Sequence, residues 1–162
     1  MTEADFKQHL DKAEKEPKLV AAAVSGLPDK ALRYKPAPDK WSILEILAHL
    51  ADVEIVYAHR IRQMLADEHP KIAPIDQDAW AKGLNYSRMP LELSRRIYEA
   101  VRAGIIYQAR LHYDFNGHRE FVHSETGVRT LKDEFEKVAS HNEHHLEQIA
   151  LALHNAAASG RD

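Results

Sequence analysis

Two histidines near the end of the chain have the spacing of metal ligands on one face of a helix. His141 and His145 are four residues apart in the segment SHNEHHLEQI. In an α-helix this spacing leaves the two side chains about 40° apart around the axis and one turn apart along it. Val138, Ile149 and Ala152 fall on the same side, so the pair borders the buried stripe. Both imidazoles can therefore reach one ion.

A third histidine can complete this set of ligands. His49 lies three residues after Ile46 and four before Val53, so its ring faces inward on an earlier helix. A divalent ion needs at least three protein ligands to be held against water and cellular chelators. We therefore predict that His49, His141 and His145 bind a divalent metal and leave one or more positions open, as catalytic sites do. Nickel, zinc and iron all suit three imidazoles, and the sequence does not choose among them.

Other site chemistries are excluded by residues that the chain lacks. It has no cysteine, which removes disulfides, thiolate nucleophiles, cysteine-ligated zinc and iron–sulfur clusters. The residue after His141 is Asn142, so the segment is not a zincin motif. A ferritin-like di-metal site needs two Glu-x-x-His motifs, and the chain has only Glu120-x-x-His123. There is no glycine-rich phosphate loop and no G-x-S-x-G motif.

Composition and charge limit the partners that we expect. The 162 residues carry a formal net charge of −3, which gives no long-range attraction to phosphate backbones, so nucleic acid is not an expected partner. Charged and apolar residues alternate near the first residue, and no apolar run reaches about 18 residues. We therefore predict no signal peptide, no membrane span and a cytoplasmic location. The absence of cysteine fits that reducing compartment.

Low glycine and proline content predicts an all-α fold. The chain has six glycines and seven prolines, and every proline lies at or before Pro90. Hydrophobic periodicity and capping signals then predict helices at about 3–14, 17–24, 42–66, 90–115 and 130–156. Core positions of the helix that begins at Pro90 extend to Leu111. One domain spanning 1–162, built as a four-helix bundle, accounts for these elements.

Two connections between the helices are long enough to matter for the site. Residues 67–89 contain Trp80 and are predicted to form a long loop with at most one short helical turn, and loops of this length are usually functional or mobile. Trp80 can cover the open side of the metal, although a role as an anchor within the loop is favoured. Residues 116–129 lose the helical period, with a short extended pair around Phe121.

Two carboxylates on the helix of His49 are candidates for supporting roles. Glu45 and Asp52 lie within about 60° of His49 around the helix axis, where either can orient a ligand imidazole or accept a proton. A plainer interpretation is favoured: Glu45 forms a capping box with Ser42, and Asp52 is a solvated carboxylate. The catalytic residues therefore stay unknown at this level.

Further polar side chains leave two questions open. His123, Glu143 and His144 are candidates for a fourth ligand or a pocket group, and a protein ligand in the fourth position would weaken an enzymatic interpretation. Arginines also recur just before Pro90 and along the helix that follows it. Glutamates at positions 92 and 99 predict that they form a solvated face of ion pairs. These arginines are Arg88, Arg95, Arg96, Arg102 and Arg110.

Two segments of the chain resemble the DinB/YfiT-like family. The first, Leu32 to Glu54, has the Pro-x-x-x-x-Trp-Ser run leading into a helix with its histidine. The second, Gly127 to Ile149, has G-x-x-T-L followed by H-x-x-x-H-x-x-Q-I. The resemblance implies a four-helix bundle of the DinB type whose three ligands match His49, His141 and His145. It also implies nickel, zinc or iron as the metal, and a homodimer.

The same resemblance implies several functions. Family members include transferases and isomerases that use a low-molecular-weight thiol, and others are named metal-dependent hydrolases without a known substrate. We expect a metal-dependent transferase in which a thiolate attacks a small electrophile, so a small thiol and an electrophile are the expected partners. The alternatives are a metal-dependent hydrolase and a non-catalytic metal-binding protein that stores or senses metal in a stress response. A purely structural role would require no ion at all.

Overall fold

The computed structural model describes residues 2–159, except for the side chains of residues 142–144 and 156–159. Four long helices form a bundle: α1 (Glu3–Val24), α3 (Ile43–Ala66), α5 (Leu91–Asn116) and α6 (Leu131–Ser159). The connections contain α2 (Asp29–Leu32), α4 (Gln77–Gly83), a 3₁₀ turn (Tyr86–Arg88) and the strands β1 (Lys71–Ile72), β2 (Glu120–His123) and β3 (Gly127–Thr130). The predicted all-α four-helix bundle is confirmed. None of the helices in residues 2–159 has the length and apolar character that crossing a membrane requires.

The capping signals read from the sequence fix the starts of the two helices that carry the histidines. The Ser42 hydroxyl accepts a hydrogen bond from the backbone N–H of Glu45, and the Glu45 carboxylate accepts one from the Ser42 N–H at 2.8 Å. Thr130 and Asp133 form the same reciprocal pair at the start of α6. Because each box satisfies two backbone N–H groups at a helix start, it sets the position of that start.

The first helix continues past its predicted end. We expected a break between Glu14 and Pro17, but α1 is unbroken and Pro17 is buried inside it. A proline has no backbone N–H, so the carbonyl of Ala13, four residues earlier, loses its helical hydrogen bond. The Arg102 guanidinium donates to this carbonyl instead, with Nη1 3.4 Å from the oxygen. A side chain from another helix therefore compensates for the proline.

Residues 67–89 contain more regular structure than predicted. The Asp76 side chain accepts hydrogen bonds at 3.1 and 2.9 Å from the backbone N–H groups two and three residues later, which starts the seven-residue α4. Strand β1 pairs in parallel with β2, with Ile72 opposite His123. This pairing joins segments about fifty residues apart, which local periodicity cannot reveal. The extended pair predicted around Phe121 is confirmed as the antiparallel β2–β3 hairpin.

The apolar core consists of two clusters separated by a buried polar level. The clusters part at residues 13–20 on α1, 98–105 on α5 and 139–149 on α6. Buried polar side chains lie at this level, and we call them the polar layer: Glu16, His49, Glu54, Arg102 and His145. The bundle therefore holds these polar side chains between two apolar halves.

Arg102 corrects the prediction of a wholly solvated arginine face on α5. Its side chain is 1% exposed; Nε donates to the Glu54 carboxylate at 2.8 Å, and Nη1 donates to Glu16 at 3.0 Å. Burial opposes its charge, but the hydrogen bonds and the negative charge of Glu54 raise the pKa of Arg102 above its usual value. The expected surface pairing holds for Arg95, which binds Glu92.

The inward face near the end of α5 also differs from the prediction. Leu111, expected in the core, is 48% exposed. Tyr113 takes the inward position: it stacks on Phe6 with ring centroids 3.5 Å apart and donates a hydrogen bond to Glu136 at 2.7 Å. Tyr113 lies four residues after the buried Ala109, so the helical period favours it over Leu111.

We expect Arg102→Met to lower the free energy of unfolding by about 3–5 kcal/mol, because Glu54 and Glu16 then stay buried without a cation. Uncompensated buried carboxylates take up protons that the unfolded chain does not, so the deficit should shrink as the pH falls from about 7 to about 5. Urea unfolding at both pH values measures this, with Arg95→Met as the surface control. A deficit that grows on acidification contradicts the assignment.

Candidate metal centre

The three histidines that the sequence selected lie side by side between α3 and α6. The ring centroids of His141 and His145 are 4.9 Å apart, and that of His49 is 5.0 Å from His145 and 6.1 Å from His141. One nitrogen from each ring lies within 4.8 Å of the other two. The capping boxes place the start of each helix, and the i, i+4 spacing aligns the pair on α6. The structure therefore brings together the three histidines that the sequence predicted as one group.

His49 has the most demanding environment of the three. Its ring is 2% exposed, and both ring nitrogens are buried without a hydrogen-bond partner among the described residues. Leaving one such atom unpaired costs about 1–3 kcal/mol. Burial, together with the neighbouring His145 and His141, lowers the pKa of His49 to about 3, so the ring is neutral at pH 7. A neutral, buried imidazole with unpaired nitrogens fits a metal ion, which would accept a lone pair from it.

A hydrogen bond on the same helix sets the orientation of His145. Its Nδ1 lies 2.9 Å from Oε1 of Gln148, three residues later on α6. Because an amide oxygen only accepts, Nδ1 carries the proton and donates, and the lone pair lies on Nε2. Ligand histidines usually hold their tautomer in this way. Gln148 therefore places the lone pair of His145 on Nε2, which is the arrangement that a metal ligand requires.

Two aromatic rings confine the histidine rings. The centroid of Trp41 lies 4.8 Å from that of His49 at an interplanar angle of 54°. The ring of Tyr57 stands nearly perpendicular to His141, at 77° and 5.7 Å. Close rings on these sides restrict rotation of the imidazoles and keep the cluster in place.

Two cavities reach the cluster from different sides. The first, of about 600 Å³, contacts His141 and His145, and several of its other lining side chains are apolar. These are Trp41, Ile46, Leu151 and Ala152, with Pro36 and Ala37. The second, of about 460 Å³, contacts His49 and His141 and lies between α3, α6 and the β2–β3 hairpin. Gln77 lines both, so small molecules have space beside the histidines on each side.

Glu45 follows its plainer interpretation, whereas Asp52 is half-buried beside another side chain and is not a solvated carboxylate. Glu45 accepts hydrogen bonds from Lys35 at 2.8 Å and from Ser42. Burial acts to raise the pKa of Glu45, but these bonds outweigh it and hold the pKa below its usual value. Asp52 lies beside Tyr86, and burial together with Asp52 raises the pKa of the Tyr86 hydroxyl. Both carboxylates are thus engaged away from the histidines.

The 67–89 segment reaches the site, but through other residues than Trp80. Pro74 and Ile75 line the second cavity, and Asp78 lines the first. Trp80 is half-buried and lines neither of them. The segment therefore contributes through the residues that lead into α4 and through its first turn.

The other candidate ligands separate into two groups. His123 is buried and lines the second cavity, but it does not belong to the three-histidine group. Glu143 and His144 lie outside the side chains that the structure describes. His123 therefore lies where a pocket group would lie, which agrees with the pocket role predicted as one of its alternatives.

The sequence does not identify three residues that contact the histidines: Gln148, Tyr57 and Trp41. Gln148 carried a usable signal, since a position three residues after a ligand on a helix faces the same side. Tyr57 fits the apolar period of α3, which predicts a core position, but its contact with His141 depends on how α3 meets α6. Trp41 precedes its helix, so no helical period places it.

Comparison with known proteins agrees with this geometry. The family model described as the DinB superfamily matches residues 12–149. A "Putative metal-dependent hydrolase" of Oceanobacillus iheyensis is 27% identical over 159 residues, which is 98% of this chain and 91% of that protein. A second protein of the same name and organism is 26% identical over 149 residues, covering 92% and 86%.

A solved structure has the same fold. It is YfiT from Bacillus subtilis, described as "a probable metal-dependent hydrolase with an unusual four-helix bundle topology". The TM-score is 0.87 at 21% sequence identity, over 97% of this chain and 90% of that one. At this identity the likeness establishes the arrangement of the helices.

We expect His49→Leu to raise the free energy of unfolding of the metal-free protein by about 1–2 kcal/mol, because no unpaired nitrogen then remains buried. The same variant should lose the rise in Tm that zinc gives the wild type. Thermal unfolding with and without zinc measures both effects. His59→Leu, an exposed position on the same helix, is the control. A less stable metal-free His49→Leu protein would show that the ring is satisfied without an ion.

Gln148→Leu is expected to weaken zinc affinity about 10–100-fold, since the His145 tautomer is no longer held. Gln148→Glu keeps an acceptor oxygen and should retain most of the affinity. Competition with a chromophoric chelator gives the affinities, and ¹⁵N NMR of His145 reports the tautomer. Gln63→Leu on α3 is the matched control. Wild-type affinity in Gln148→Leu would rule out this role.

Proposed function

The chain belongs to the DinB superfamily, and we propose that it is a metal-dependent enzyme whose divalent ion is held by His49, His141 and His145. The observation that carries this proposal is the burial of His49, whose ring nitrogens have no hydrogen-bond partner among the described residues, in contact with two other imidazoles. Without an ion this arrangement only costs stability. With an ion, the lone-pair nitrogen of each neutral ring would serve as a ligand.

The ligand set determines which metals and which chemistry fit. Three imidazoles favour zinc or nickel, and iron is also compatible. An ion held by His49, His141 and His145 would supply Lewis acidity, which would lower the pKa of water or of a thiol so that the nucleophile is an anion near neutral pH. Gln148 holds the tautomer of His145, and Trp41 and Tyr57 confine the other two rings. These residues position the site and do not themselves react.

Hydrolysis of a small electrophile is the first candidate reaction. The two Oceanobacillus relatives are named as metal-dependent hydrolases, and the two cavities give a substrate access to the histidines from either side. The nucleophile in this reaction is water, whose oxygen would form the new bond to the electrophilic carbon while a proton passes to solvent. A substrate bound in one of the cavities would release a leaving group that takes the electron pair of the bond that breaks.

Transfer to a low-molecular-weight thiol is the second candidate, and the presence of two cavities favours it. Each cavity reaches the histidines from its own side, which provides separate places for a thiol and an electrophile. A hydrolase needs only one such place. In this reaction the thiolate forms the new bond to carbon, and the leaving group takes the electron pair of the bond that breaks.

A test of the metal site uses the wild type, His145→Ala and His154→Ala, all purified without an affinity tag. His154 is an exposed histidine of the same helix and serves as the control. We expect about one equivalent of zinc or nickel in the wild type and control, and less than about a tenth in His145→Ala, because two imidazoles do not hold a divalent ion. Elemental analysis gives the metal content.

The reaction is tested on the same three proteins. Release of nitrophenol from 4-nitrophenyl acetate measures hydrolysis, and 1-chloro-2,4-dinitrobenzene with glutathione or cysteine measures thiol transfer. Retained metal in His145→Ala contradicts the ligand set, and lost metal with unchanged turnover contradicts the mechanism. Bound metal without turnover in either assay contradicts an enzymatic function and supports metal storage or sensing.

A further inference from the structure

The two cavities beside the histidines differ in charge. The first contains the carboxylates of Asp39 and Asp78 and the ammonium of Lys40, a net charge of −1. The second contains three cations and two carboxylates, a net charge of +1. These are Arg60, Arg129 and Lys137, with Glu125 and Glu134. An anion is therefore favoured in the second cavity over the first.

The cations of the second cavity differ in how they are engaged. Arg60 is buried, lies 3.5 Å from Glu134 and donates to the carbonyl of Ala73 at 2.6 Å. Arg129 lies 3.7 Å from Asp133. Lys137 has no carboxylate within ion-pair distance among residues with described side chains, and its Nζ stands 5.7 Å from the centroid of the Tyr57 ring.

His123 adds a neutral donor to the wall of this cavity. Its Nδ1 accepts hydrogen bonds from the backbone N–H groups of Glu125 at 3.2 Å and Thr126 at 3.4 Å. The proton of the neutral ring is therefore on Nε2, which is a donor. The ring is 9% exposed and lines the cavity. The two hydrogen bonds from the turn of the β2–β3 hairpin fix its orientation.

We propose that the second cavity binds an anionic group of the substrate, such as a carboxylate, with Lys137 and His123 as its donors. This inference rests on the proposed function, since the group lies beside the histidines that hold the ion. Three neutral imidazoles leave the charge of a divalent ion uncompensated, which further favours an anion there. The substrate class is thus a small organic anion whose reacting centre faces His49 and His141.

The test is calorimetric titration with glutarate, a dicarboxylate, and with glutaramide, its neutral diamide of similar size. The proteins are the wild type, Lys137→Met, Lys137→Arg and the control Lys40→Met, which changes the lysine of the first cavity. Lys137 is exposed, so its substitution leaves the fold intact. Each protein is titrated both zinc-loaded and zinc-free, because the cations of the cavity act without the metal.

We expect glutarate to bind the wild type in both forms and glutaramide to bind neither. Lys137→Met should weaken glutarate binding about fivefold, the contribution of one exposed charge pair. Lys137→Arg should stay within about twofold of the wild type, and Lys40→Met should leave the affinity unchanged.

Three results would overturn the inference: equal binding of glutarate and glutaramide, wild-type affinity in Lys137→Met, or an equal loss in Lys40→Met. Failure of the proposed function has a different signature. It would appear as absent zinc binding while the zinc-free protein still binds glutarate through Lys137.

Discussion

Desolvation of polar side chains at one level of the bundle is the constraint on which the rest of this structure depends. The polar layer lies between two apolar clusters, where an unpaired charge or hydrogen-bonding atom is costly. The two sides of the layer differ in how this cost is met. On the side of α1 and α5, Arg102 is paired by Glu54 and Glu16 within the chain. On the side of α6, the histidines approach one another, and no described side chain forms a hydrogen bond with either nitrogen of His49.

Helix α3 contributes side chains to both sides of the polar layer. His49 and Glu54 are five residues apart, which places them about 140° apart around the helix axis. Glu54 therefore faces α5 and forms an internal ion pair, whereas His49 faces α6 and forms no hydrogen bond with the part of the chain that the structure describes. The ion pair ties α3 to α5 and fixes the rotation of α3 about its axis. That rotation in turn aims His49 at the pair on α6, so a structural charge pair and a candidate metal site depend on the same helix.

The segments that looked irregular in the sequence shape the surroundings of the site. The β2–β3 hairpin supplies His123 and Arg129 to the second cavity, and the stretch before α4 supplies Pro74 and Ile75. Arg60 on α3 connects the stretch before α4 to α6, since it contacts both the carbonyl of Ala73 and Glu134. The three histidines thus come from the long helices, whereas the connections supply much of the lining of the second cavity.

The sequence by itself determined what depends on residues close together along the chain. The capping boxes at Ser42 and Thr130, the inward spacing of His141 and His145, and the low content of turn residues were sufficient for the helices and the histidine pair. The tertiary structure decided what depends on distant segments. These features are the hydrogen bond from Arg102 to the carbonyl that Pro17 leaves without a donor, the pairing of β1 with β2, and the burial of His49 with no hydrogen-bond partner among the described residues. The physical reason is that burial, pairing and cavity shape are properties of several elements packed together, whereas helical period and capping are properties of one.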